Sequence, residues 1–168
     1  MANFIDYVFI VKGAIIKTEL ISVENLKVEF KTDETVNQVL KGVSFKIHEG
    51  ETVGLVGESG SGKSVTSMSI MGLIPNPPGK ITDGKILFEG SDLVDLSNKE
   101  YADIRGSKIS MIFQEPMTSL NPVFKVGNQV LETITLHQPD LTKKEAQKKV
   151  IELFKEVGIP YAEKRYHY

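Results

Sequence analysis

Between residues 20 and 48 apolar and polar side chains alternate. Leu26, Val28 and Phe30 are separated by Lys27 and Glu29, and Val43, Phe45 and Ile47 by Ser44 and Lys46. A period of two marks a half-buried strand, and "TDET" between the two runs predicts an antiparallel pair. "GKITDGKILFEGSDL" adds two apolar runs punctuated by glycine, fit for the same layer. Two other stretches, "ETVGLVG" and "KISMIFQ", are continuous apolar runs bounded by turn residues, the pattern of fully buried strands.

Helical spacing appears elsewhere. "KSVTSMSIMGLI" places Val65, Met68, Ser69 and Gly72 or Leu73 on one face. Ser97 is an N-cap for "NKEYADIRG", which Gly106 ends. Val126, Val130, Ile134 and His137 share the face of a further helix. Thr142 and Glu145 form a capping box for another, carrying Ala146, Val150, Phe154 and Val157 and stopped by Gly158 and Pro160. The first residues, "MANFIDYVFIVKGAIIKT", hold apolar runs broken by Asp6, Lys12 and Gly13, too short for a membrane span. They lack the opening positive charge and cleavage site of a secretory signal, so residues 1–19 are set apart as an N-terminal extension with room for one strand.

The 168 residues suffice for one buried core, and a net charge of −2 supplies no basic field for nucleic acid. The lysines of the helix that follows Thr142 read as its solvated face. With no cysteine in the chain, disulfides, thiolate metal sites and thiol catalysis are excluded.

The candidate chemistry sits in "GLVGESGSGKSV". Its sub-string Gly57, Glu58, Ser59, Gly60, Ser61, Gly62, Lys63, Ser64 fits G-x-x-x-x-G-K-[ST], the phosphate-binding loop. Backbone N–H groups wrap a polyphosphate, the lysine reaches its outer phosphates and the last hydroxyl ligates magnesium. Main chain approaches phosphate closely only where no Cβ intervenes, hence the glycines. The following helix adds the positive end of its dipole. The ligand expected from the loop is therefore a polyphosphate with Mg2+.

The order of antiparallel strands, GESGSGKS and then "MIFQEPMTSLNP" resembles the ATP-binding subunit of an ABC transporter. More narrowly, "GLIPNPPGKITDGKILFEGSDLVDLS", "IRGSKISMIFQEPMTSLNP" and "VGIPYAEKR" resemble the subunit that powers dipeptide, oligopeptide or nickel importers, with similarity from about Leu20 to the last residue. The resemblance implies that Gln114 is the Q-loop glutamine, approaching magnesium and the attacking water at the hinge to a helical subdomain. A carboxamide suits the task, since its oxygen ligates and its nitrogen donates. The resemblance also places Phe30 where the family stacks an aromatic ring on adenine. The alternation of Leu26, Val28 and Phe30 equally assigns that ring to the core.

The fold expected is α/β: a partial P-loop NTPase (ABC ATPase) core over 20–114 with an antiparallel β layer, then the start of a helical subdomain over 115–168. The family's acidic strand end, Ser-Gly-Gly signature and switch histidine find no match. Glu89 of "ILFEG" reads as a turn residue, and His48, His137 and His167 do not follow an acidic strand. The resemblance puts the signature just beyond "EKRYHY". It implies an N-terminal part, inactive alone, of an importer's ATPase in the cytoplasm, peripheral on the inner face of the cell membrane. The implied partners are membrane-spanning permease subunits and a second ATP-binding subunit. A nucleotide-binding module that never hydrolyses, or a degenerate fragment, is the alternative. An unrelated P-loop kinase or GTPase leaves "FQEPMTSLNP" unexplained.

Overall fold

A computed structural model describes residues 18–114 and 119–168. The expected extension over 1–19 lies outside the described residues except for Thr18 and Glu19, and so do residues 115–118 of the "FQEPMTSLNP" string. The chain divides into two compact units, Met1–Gln114 and Glu115–Tyr168.

In the first unit four strands form one antiparallel sheet in the order β2-β1-β3-β4: β1 Glu19–Lys31, β2 Val36–His48, β3 Gly79–Phe88 and β4 Ser91–Asp92. The alternating run places Val23, Leu26 and Val28 of β1 in the core with Leu40, Ile47 and Ile86. Each such fully buried side chain contributes about 1.5–3 kcal/mol relative to exposure. "TDET" is the β1–β2 connection, closed by the Thr32 N–H on the Thr35 carbonyl at 2.8 Å. Both glycine-punctuated runs join the same layer, with Ser22 opposite Leu87 and Phe30 opposite Gly79.

Two helices belong to this unit, α1 Lys63–Ile70 and α2 Asn98–Ile104. Ser97 caps α2 with a full capping box to Glu100. α1 is shorter than its periodicity predicts. Gly72, in the left-handed region at φ 61°, ends it with a Schellman turn: the Leu73 N–H reaches the Met68 carbonyl (2.8 Å) and the Gly72 N–H that of Ser69 (3.0 Å). Its buried face also differs from the expected one. Thr66, Ser67, Ser69 and Ile70 are buried, while Val65 and Met68 are half-buried. The three hydroxyls tolerate burial by donating to carbonyls one turn back: Thr66 Oγ1 to Gly62 (3.0 Å), Ser67 Oγ to Lys63 (3.3 Å) and Ser69 Oγ to Val65 (2.7 Å).

The two buried strands expected at "ETVGLVG" and "KISMIFQ" do not form. Residues 51–58 make no ladder, and 109–113 make a single parallel bridge between Arg105 and Ile109. Val56 is 77% exposed, Ile112 75% and Phe113 50%. An apolar run records a capacity for burial, but a strand also needs a neighbour to complete its ladder. Among the described residues neither segment has one.

The second unit packs α3 Val126–His137, α4 Lys143–Glu156 and α5 Ala162–Arg165 around Ile134, Ala146, Val150, Phe154, Ala162 and Tyr166. The predicted Thr142–Glu145 capping box is complete, and a second Schellman turn at Gly158 ends α4. Val157 departs from expectation. As the C-cap it turns away from the apolar face and is 72% exposed.

Candidate functional site

Gly62 is the N-cap of α1, with φ 92° in the left-handed region. A Cβ there would sit 2.5 Å from Leu40 Cδ2 and 3.4 Å from the Val39 carbonyl oxygen, so only glycine lets the loop lie this close to β2. The start of α1 is thereby fixed against the sheet. The intrahelical ladder begins at Thr66, whose N–H reaches the Gly62 carbonyl at 2.8 Å.

The loop encloses a cavity of about 430 Å³, lined by Gly57, Ser59, Gly60, Ser61, Gly62, Lys63 and Ser64 together with Val39, Val65 and Gln114. At Gly60, φ is 79° and the space a Cβ would take is open, a cradle kept clear along the cavity wall. Lys63 Nζ donates to the carbonyls of Gly57 and Glu58, both at 2.9 Å, which holds the ammonium across the loop. The Ser61 N–H donates to the Glu58 carbonyl at 3.1 Å, closing the turn. Open glycine backbone, one ammonium, the start of a helix and a hydroxyl suit a magnesium-bound polyphosphate.

Seven of the eight loop residues therefore meet Gln114 at one cavity. Glu58 contributes its carbonyl to Lys63, and its exposed side chain lies outside the lining. Phe30 also lies outside it. The ring is half-buried near the end of β1, where its Cε1 is 2.8 Å from the Cβ position of Gly79. Glu89 occupies the β3–β4 turn at φ 48°, its carboxylate on Lys108 Nζ at 2.6 Å. Val39 and Val65 were not among the expected lining residues. Val39 reaches the cavity through the β2–Gly62 contact, a tertiary pairing with no local sequence signal.

At the C-terminal end of α1, Arg105 donates from Nε to the Met71 carbonyl at 2.7 Å and from Nη2 to that of Gly72 at 2.6 Å. Its guanidinium carbon lies 4.6 Å from the Tyr101 ring centroid. Burial pushes the Tyr101 phenol up to about 12, against the opposing pull of Arg105.

Residues 40–168, from β2 through the loop to the last helix, match the family described as ABC transporter. The chain belongs to that family. The cassette match extends to solved structures. The dimeric structure of MJ0796, a bacterial ABC transporter cassette, superposes with a TM-score of 0.69 at 29% identity, covering 81% of this chain and 56% of the cassette. A dimeric post-hydrolysis form of that cassette, bound to ADP and Pi, gives 0.66 at 26% identity over the same shares. The fold is thus α/β, part of an ABC ATPase core with an antiparallel layer. Curated relatives include the oligopeptide transport ATP-binding protein OppD of Bacillus subtilis, 53% identical over 148 residues, and the dipeptide transport ATP-binding protein DppD of the same species, 52% over 142. The matches span 88% and 84% of the ABC chain, but only 41% and 42% of the two relatives.

Proposed function

We propose that the chain binds Mg-ATP and serves as the ATP-binding subunit of a peptide importer. The observation that carries this reading is the single cavity in which the loop Gly57–Ser64 and Gln114 meet. Lys63 would engage the outer phosphates, and Ser64 and Gln114 would hold the metal. Bound magnesium would neutralise phosphate charge and orient the terminal group. Phe30 would stack on adenine. Gln114, the last residue of the first unit, is the proposed junction with the helical subdomain over 115–168.

The transported class follows from the relatives, whose names specify oligopeptide and dipeptide transport. These names favour peptides over nickel. ATP hydrolysis would be coupled to transport through permease subunits and a second ATP-binding subunit, as the dimeric cassette structures suggest. No helix among the described residues is long and apolar enough to cross a membrane, in keeping with a peripheral site on the cytoplasmic face.

Calorimetric titration with Mg-ATP tests the binding. Lys63→Ala removes a charge-assisted contact and should weaken it by about 1.5–3 kcal/mol. Equal affinities would end the assignment. Uptake of a labelled oligopeptide by cells lacking the gene, restored by the native gene but not by Lys63→Ala, tests the transport role.

A further inference from the structure

We infer that Arg105 is a positioning residue that holds the phosphate loop and Gln114 in register. The inference rests on the nucleotide reading above, but its geometry does not. α1 starts at the phosphate loop and ends at Met71 and Gly72, whose carbonyls accept the two prongs of the Arg105 guanidinium at 2.7 and 2.6 Å. Those carbonyls lie at the negative end of the helix dipole, where a cation is favoured.

The backbone of the same residue begins the segment that leads to Gln114. Arg105 bridges Ile109, the Gly106 N–H reaches the Ile109 carbonyl at 2.9 Å and the Ile109 N–H reaches that of Ile104 at 3.1 Å. Ile109 is buried, and five residues later Gln114 lines the cavity that Lys63 and Ser64 also line. One residue therefore ties the far end of the loop helix, by its side chain, to the root of the Gln114 segment, by its main chain.

The fork geometry matters. A lysine keeps the charge but donates from one rotating centre, and it cannot present a planar face to Tyr101. A mere need for positive charge would be met by Arg105→Lys, whereas positioning would not. Because the chain has no cysteine, Glu58→Cys and Ser110→Cys give a unique spin-label pair spanning loop and segment. The parent pair should show one narrow distance by double electron resonance, broadened in Arg105→Lys and more so in Arg105→Ala.

In parallel, ATP binding is titrated with and without magnesium. Loss of register separates Ser64 from Gln114, so Arg105→Lys should lower the magnesium-dependent gain in affinity about tenfold while metal-free binding changes less than about twofold. An unchanged distance distribution in a cooperatively melting Arg105→Lys protein would overturn the inference. So would equal losses of affinity with and without magnesium. If the parent chain bound no ATP, the nucleotide reading would fail while the label distances still decided the tether.

Discussion

The ring of Tyr101 lies so close to Gly72 that a Cβ on that glycine would sit 2.5 Å from both Cε2 and Cζ. Gly72 also adopts φ 61°, which side-chain-bearing residues enter at a cost of about 1–3 kcal/mol. The contact joins the end of the loop helix to α2, and the Arg105 guanidinium carbon lies 4.6 Å from the centroid of the same ring. Gly72→Ala should therefore lower the melting temperature through both strain and overlap. Tyr101→Ala relieves the overlap but opens a cavity worth about 3–5 kcal/mol. In the double variant only the overlap is removed from the Gly72 penalty, so the two effects should be less than additive by about 0.5–3 kcal/mol. Strict additivity in denaturant melts would contradict the packing.

The local rules of the chain were legible because they act over a few residues. Thr142 and Glu145 are three apart, so their capping box is written in the sequence, and Leu26 and Val28 alternate with charges because one sheet face is wet. Gly57–Ser64 was readable for the same reason. The rest depended on distant partners. "ETVGLVG" and "KISMIFQ" have strand composition, yet pairing is decided by which backbone lies alongside. The polar inner face of α1 misled periodicity because Thr66, Ser67 and Ser69 satisfy themselves within their own helix. Arg105 left no local trace at all, since its acceptors are 34 and 33 residues away.

Ser64 should matter only when metal is present. In the proposed site its hydroxyl ligates magnesium, so Ser64→Ala should weaken Mg-ATP by roughly tenfold or more and leave metal-free ATP nearly unchanged. Titrations with magnesium and with a chelator provide the comparison. A loss of equal size in both would assign Ser64 to the phosphates.

Phe30 separates stacking from packing. Its ring is half-buried against Gly79, so apolar bulk alone satisfies the core. Phe30→Leu keeps most of that bulk and removes the π face. If the ring stacks on adenine, Phe30→Leu should weaken ATP more than inorganic triphosphate and cost under about 1.5 kcal/mol in stability. Equal weakening of the two ligands would leave Phe30 a packing residue.

The capping boxes carry a pH dependence. Hydrogen bonds from the Thr142 hydroxyl and backbone N–H lower the pKa of Glu145 below the usual carboxylate range, and Ser97 does the same for Glu100. A depressed folded-state value means that the stabilisation is complete above the unfolded value, about pH 4.3, and is lost as pH falls through the lower folded value. Glu145→Gln keeps a capping-box side chain without the titration. It should flatten the acid limb of the melting profile below about pH 4.3, leaving the slope at neutral pH unchanged. An identical acid limb in the two proteins would remove Glu145 from the account.

Val56 and Ile112 decide how the chain behaves in solution. Both are large, apolar and about three-quarters exposed, at 77% and 75%, and each belongs to a segment with strand composition and no ladder among the described residues. Unpaired backbone beside exposed apolar side chains is a template for association between chains. The isolated 168-residue protein should self-associate with rising concentration and bind a hydrophobic dye. Because neither side chain is buried, Val56→Lys with Ile112→Glu should cost little stability while introducing charge on both segments. Sedimentation velocity should show the doubly substituted protein shifted towards monomer, with its cooperative melt retained. Unchanged association would exclude these two segments as the adhesive surface. A monomer obtained only with loss of the cooperative melt would mean that Val56 or Ile112 supports the core.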